Sequence, residues 1–290
     1  MLRRAAKVLV KRSLGALGLE IRRIEGGDPP APVYRDLKEA QRRTRSGNRA
    51  TYQCPLSQLC TFSGLTFDPD GWHPFVATTN EYLRANRGTY SGSVLENFYQ
   101  KWRPTDALDA LIGATGPDIL REFPSYTLHF PWMDILPDER ASVMAKNIRN
   151  ENRWSGKIDL TASSGYGLHG PVSPKKGQIE YARIVRTAKS IRKHGFDRAK
   201  AGEDITVAAI EREGEYRFCI IHGQHRVAAL AALGYEHVPV SLSRMLFLSE
   251  VEHWPQVYRG IWSRSEAVEY VNHLFDFKPY PWARAKGLAG

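Results

Sequence analysis

The chain has 290 residues, 42% of them hydrophobic and 11% aromatic, a globular composition with enough apolar material for a sizeable core, which excludes wholesale disorder. Cys54, Cys60 and Cys219 are too few and too irregularly spaced for a disulfide framework or a cysteine zinc site, and no run of about 18 apolar residues is present to span a bilayer. The net charge of +10 owes more than half its excess to the first 23 residues, where Arg3, Arg4, Lys7, Lys11, Arg12, Arg22 and Arg23 face only Glu20, so it does not predict a global nucleic-acid surface.

Residues 1–24 read as an amphipathic helix, with Leu2, Ala5, Ala6, Leu9, Ala16 and Leu17 on one side and Arg3, Arg4, Lys7 and Lys11 opposite. Such a helix suits an anionic membrane interface, and it suits equally well a site on the protein's own body. An Arg-rich, acid-poor presequence is a third reading. The segment also resembles the N-terminal ends of peripheral enzymes in bacterial surface-polysaccharide assembly. The expected location is cytoplasmic, with the membrane reading placing the chain peripherally at the inner face.

Residues 26–32 (G-G-D-P-P-A-P) form a stiff connector, and 33–49 a charged helix whose Arg42, Arg43, Arg45 and Arg49 make a solvated face or a phosphate contact. The stretch 51–113 is rich in aromatics, among them Trp72, His73, Phe75, Tyr82, Tyr90, Phe98, Tyr99 and Trp102. Val94, Phe98 and Trp102 set a helical stripe over 93–102, stopped by Pro104, and Thr105 caps a second helix over 105–112. These rings read first as core, with an acceptor pocket for a sugar or amphiphilic ligand as the functional alternative. Residues 123–132 are irregular, and 137–150 are helical with Asp138 and Glu139 at the start.

Residues 170–177 (G-P-V-S-P-K-K-G) read as a flexible cationic loop. A helix follows over 178–194, buried through Ile179, Ala182, Ile184, Val185, Ala188 and Ile191 and closed by Gly195. Residues 205–210 and 216–221 read as strands. His222-Gly223 breaks the second strand, an Ala- and Leu-rich helix runs from Gln224 to Leu233, and Gly234 takes the left-handed position beyond it. A strand turning through glycine into a helix aims unpaired N–H groups and a positive dipole end at one place, which suits an anion. His225 and Arg226 add donors in the first turn, and the plain alternative is a tight turn with a solvated Arg. His222 and His225, without a third ligand nearby, are a weak zinc signal, so no metal ligand is assigned. Residues 250–258 and 264–274 read as helices, the second capped by Ser265, and Trp254, Trp262, Phe275 and Phe277 dock this tail on the rest.

The run G-Q-H-R-V-A-A-L-A-A-L-G-Y-E-H-V-P-V from Gly223 to Val240 resembles the second signature of the ParB/sulfiredoxin-like superfamily, and Ser190, Ile191 and Gly195 are similar to its preceding helix end. The resemblance spans roughly residues 165–242. Sulfiredoxins carry their reactive cysteine where this chain has Gln224, which removes that activity. The turn is most similar to the free-serine-kinase branch, with His222 standing where that branch has an aspartate.

The resemblance implies an α/β (α+β) fold, with a ParB/sulfiredoxin-like domain in the C-terminal half and a mainly helical, aromatic-rich N-terminal extension. The corresponding segments are 1–25, 26–50, 51–160, 161–245 and 246–290. It implies a nucleotide site at Gly223, Gln224, His225 and Arg226, with Ser173, Lys175 and Lys176 contributed by the neighbouring loop. ATP or another nucleotide with Mg²⁺ is the implied cofactor. Glu180 and His225 are the candidate catalytic residues, Glu180 as base, for phosphate transfer to a small-molecule or saccharide hydroxyl; His169 is a comparable candidate. A CTP-type switch and a membrane-surface scaffold are the rivals. No Walker motif is present, and no helix-turn-helix follows the signature, which argues against DNA as a partner.

Overall fold

The computed structural model describes residues 31–45, 50–154, 160–198 and 204–289. The basic helix expected over 1–24 lies outside them, as does Arg49. A short strand β1 (Val33–Tyr34) leads into helix α1 (Leu37–Arg45), on which Arg42 and Arg43 are exposed. Strands β2 (Thr51–Pro55) and β3 (Leu59–Cys60) follow, then helices α2 (Pro74–Ala85), α3 (Val94–Lys101) and α4 (Pro137–Trp154). Helix α5 (Pro174–His194) precedes the hairpin of β4 (Ile205–Arg212) and β5 (Glu215–His222). Helix α6 (Gln224–Ala232) and strand β6 (His237–Phe247) come next, and α7 (Pro255–Tyr258), α8 (Arg264–Asp276) and α9 (Pro279–Ala285) end the chain.

The six strands form one mixed sheet in the order β1-β2-β6-β4-β5-β3. The β4–β5 pair is antiparallel, while β6 and β3 run parallel to β4 and β5 respectively. Both faces are covered, so Phe218, Cys219 and Ile220 are all buried although successive side chains point opposite ways. Val207, Ala209, Phe218 and Ile220 share one core with α2, α3, α5 and α6. Ile210 and Cys219 belong to a second core with Phe130, Trp132, Trp262 and Tyr270. The docking expected of the tail is seen in Trp254, Trp262 and Phe275, all buried.

Several expectations need correction. The region 51–160 is mainly helical but is not a separate lobe: β2 and β3 join the sheet of the C-terminal half, with β2 antiparallel to β6. Residues 105–112 hold only a short tight helix at Asp109–Leu111, because the Asp106 and Asp109 carboxylates accept nearby backbone N–H groups and favour turns. Helix α5 starts at Pro174 rather than 178, with the Ser173 side chain accepting the Lys176 N–H at 3.3 Å. Helix α8 is capped by Ser263, in a reciprocal box with Glu266, and not by Ser265. Among the described residues no helix is long and apolar enough to cross a membrane.

Candidate functional site at the strand–helix corner

Gly223 joins β5 to α6 with φ of 99°, in the left-handed region that favours glycine. A Cβ there would lie 3.1 Å from both Arg226 Nη2 and Ile205 Cγ1, so the Arg226 side chain folds back over the turn. The next three residues stand about 100° apart around the helix axis, and neighbours in sequence do not face the same space. Gln224, His225 and Arg226 accordingly enter three different environments. The structure therefore does not bring their three side chains, expected at one nucleotide site, to a single point.

The His225 side is closed and charged. The imidazole stacks on Phe75, with ring centres 4.9 Å apart, and Nε2 donates to Glu180 Oε2 at 3.1 Å. Glu180 is only 2% exposed, and its Oε1 accepts from Lys176 Nζ at 2.7 Å and Arg183 Nη1 at 3.0 Å. Lys176 Nζ also reaches Asn152 Oδ1 at 3.2 Å and Glu151 Oε1 at 3.4 Å, and Arg183 bonds Glu151 as well. Burial by itself would raise the Glu180 pKa. The hydrogen bond from His225, with the charges of His225, Lys176 and Arg183, overcomes burial and holds it at about 2.

This geometry revises two roles. A carboxylate held at about 2, with both oxygens engaged, is a weak proton acceptor, which disfavours the expected role of Glu180 as base. Lys176 is fully buried in the ion pair rather than waiting on a loop for phosphate. Ser173 is spent on the helix cap, while Lys175 lies exposed in the first turn of α5. His169 is buried with its Nδ1 donating to the Gly170 carbonyl at 3.1 Å, and it borders a separate cavity of about 420 Å³ with Arg103 and Tyr126.

The Arg226 side is mixed. Its Nη2 reaches the Asp204 carbonyl at 3.4 Å, and the Asp204 carboxylate is held by Arg198 at 2.9 Å and the Ser241 hydroxyl at 2.9 Å. Arg226 also borders a cavity of about 510 Å³ beside the end of α5, shared with Arg186, Ser190 and His194.

The Gln224 side opens into a cavity of about 340 Å³ against the other sheet face, floored by Ala208 and Ile221. Phe62, Phe130 and Trp132 form one wall, with Phe62 and Phe130 stacked at 4.5 Å and Phe130 and Trp132 at 5.5 Å. Arg140 and Arg244 add cationic forks, and Arg140 Nε donates to the Leu128 carbonyl at 2.9 Å. Aromatic faces beside guanidinium groups and a primary amide suit a flat heteroaromatic ring carrying negative charge. Asp134 lines the same cavity and pairs with Arg259 at 2.6 Å. A Mg²⁺ ion bound mainly through phosphate oxygens asks for one or two carboxylates, which Asp134 fits. Among the described residues no group of three or more His, Cys, Asp or Glu is placed to hold a metal ion by itself.

Phe62, Trp132, Arg140 and Arg244 carried no motif in the sequence, since each comes from a different segment and only folding brings them to Gln224. No family model matches this chain, nor does any curated protein or solved structure.

Proposed function

We propose that this chain is a nucleotide-binding protein of the ParB/sulfiredoxin-like type, holding its ligand in the aromatic and arginine cavity beside Gly223. One observation carries the reading: stacked Phe62, Phe130 and Trp132 share a single cavity with Gln224, Arg140 and Arg244 at the positive end of α6. The base lies against the rings, and the guanidinium groups with the helix terminus hold the phosphates. Asp134 would hold Mg²⁺, which would supply neutralisation of the phosphate charge. The order helix, strand, strand, helix, strand from α5 to β6 supports the superfamily reading.

The test is calorimetric titration of ATP, ADP, CTP and GTP with Mg²⁺. At least one is expected to bind, with affinity reduced at least about tenfold in Arg244→Ala, the scale of one lost charge-assisted hydrogen bond. Absence of heat with all four nucleotides overturns the reading.

A second reading, phosphate transfer to a small-molecule or saccharide hydroxyl, is favoured by the pairing of His225 with Glu180. With Nε2 donating to Glu180, Nδ1 is the ring nitrogen placed to accept a proton on this reading. On the same reading the terminal phosphate extends past the first turn of α6 to His225, whose Nδ1 takes the hydroxyl proton as the oxygen attacks the terminal phosphorus and the bond to the departing nucleoside diphosphate breaks. Turnover lost in His225→Gln, with nucleotide affinity retained, is the expected result. Nucleotide bound without turnover across hydroxyl acceptors points instead to a CTP-type switch.

A further inference from the structure

Arg140, near the start of α4, is a half-buried cation that lacks an anion. Its Nε donates to the Leu128 carbonyl at 2.9 Å, and among the described residues its two Nη groups meet no acceptor. Asp134, the one carboxylate on the same cavity, pairs with Arg259 at 2.6 Å instead. Other half-buried arginines are placed differently. Arg183 lies 3.0 Å from Glu180, and Arg212 lies 2.7 Å from Asp276. For Arg183 burial is outweighed by Glu180 and Glu151, and for Arg212 the Asp276 hydrogen bond outweighs burial, so both pKa values are raised. Arg140 moves the opposite way: burial pushes its pKa down, and only Tyr166 opposes the shift.

A desolvated guanidinium without a counter-ion costs stability, so a partner from outside the chain is called for. The free Nη groups are within its reach. They belong to the wall of the cavity at Gln224 and are not among the fully enclosed unpaired atoms, such as His73 Nε2. A planar fork with free donors matches two oxygens of a phosphate, and Arg244, exposed on the same lining, offers a second fork from the solvent side. Phe62, Met133 and Ile221, half-buried on that lining, supply apolar surface for a flat ring. The cavity, about 340 Å³, is at the lower end for small-molecule sites, with room for roughly a base, a sugar and one phosphate.

We propose that Arg140 is the specificity-determining anchor of this cavity, and that the cavity takes an aromatic monophosphate unit, its ring against Phe62 and its phosphate on the Arg140 fork. On the nucleotide reading above, on which the identity of the ring rests, that unit is the nucleoside monophosphate, and any further phosphates leave the cavity past the first turn of α6. The anchor itself does not depend on that reading.

Calorimetric titration of the full chain tests this with AMP and ATP, CMP and CTP, adenosine and cytidine. Phenyl phosphate, which has a ring and a phosphate but no base or sugar, is the independent probe. For each base that binds, mono- and triphosphate are expected within about threefold of each other and the nucleoside at least about tenfold weaker. Arg140→Gln, which keeps a donor for the Leu128 carbonyl, should bring the monophosphate down to the affinity of the nucleoside and abolish phenyl phosphate binding. Arg140→Lys, with the charge but not the fork, should recover only part of it. A triphosphate at least about tenfold tighter than its monophosphate overturns the proposal, as does an Arg140→Gln chain that still prefers the monophosphate to the nucleoside. The comparison of phosphates needs only the unaltered chain, so it decides even where a variant fails to fold. Phenyl phosphate bound through Arg140 with no nucleotide bound keeps the anchor and overturns the nucleotide reading alone. No binding of phenyl phosphate or of any nucleotide overturns both.

Discussion

The two sides of the first turn of α6 make opposite use of positive charge. On the His225 side Lys176 and Arg183 are tied to Glu180, and His225 completes the set. On the Gln224 side Arg244 is exposed and Arg140 spends its Nε on a carbonyl, beside rings that are already stacked on one another. A cation surrounded by buried carboxylates is a structural tie, because removing it strands a charge. A cation facing an aromatic cavity is a recognition element, because its removal costs the protein little and a ligand much.

The largest expected effect lies on the closed side. Lys176→Met leaves Glu180 buried with one cation fewer and should cost about 3–5 kcal/mol in chemical denaturation. Lys175→Ala, one residue earlier and exposed, should change stability by no more than about 0.5 kcal/mol. Equal effects at the two positions would dissolve the comparison.

The next effect is a pH dependence. Glu180 titrates at about 2 in the folded chain against an ordinary 4.5, so the unfolded state takes up the proton first as pH falls. Its stabilising contribution, about 3 kcal/mol, is fully present above about 4.5 and is lost as pH drops toward about 2. Glu180→Gln should flatten that part of the pH–stability curve, measured by denaturation at a series of pH values. His73 acts in the same direction over a higher window, since an unfolded histidine protonates below its ordinary 6.5 while the buried ring resists down to about 3.

On the open side Arg244→Ala should lower nucleotide affinity at least about tenfold without moving the melting temperature by more than a degree or so. A large loss of stability would mean that this arginine, too, is a structural tie. The smallest effect concerns the hinge between the two sides. Gly223→Ala should destabilise by about 1–2 kcal/mol through its φ of 99° and the contacts with Arg226 and Ile205. Thermal unfolding followed by circular dichroism reads it.

The elements around the corner were legible because their signals are local. The β-branched and aromatic runs 205–210 and 216–221 became β4 and β5, and the Ala-rich stretch after Gly223 became α6. The start of α5 was also local, a capping serine followed by proline, yet glycine and paired lysines made it resemble a loop. Reading that cap would have put Lys176 and Glu180 at i and i+4 on one helix and exposed the ion pair.

By itself the sequence determined a mixed α/β chain, a strand–glycine–helix corner at Gly223, and a helix entering it with His225 and Arg226 in its first turn. Those features follow from short-range rules: propensity, capping and the conformational freedom of one glycine. Tertiary structure alone decided that Phe62, Trp132, Arg140 and Arg244 meet at Gln224, that Lys176 is consumed by Glu180, and that His73 is buried with its Nε2 unpaired. Such outcomes depend on which distant segments come into contact, and no local pattern of charge or hydrophobicity encodes a partner far along the chain.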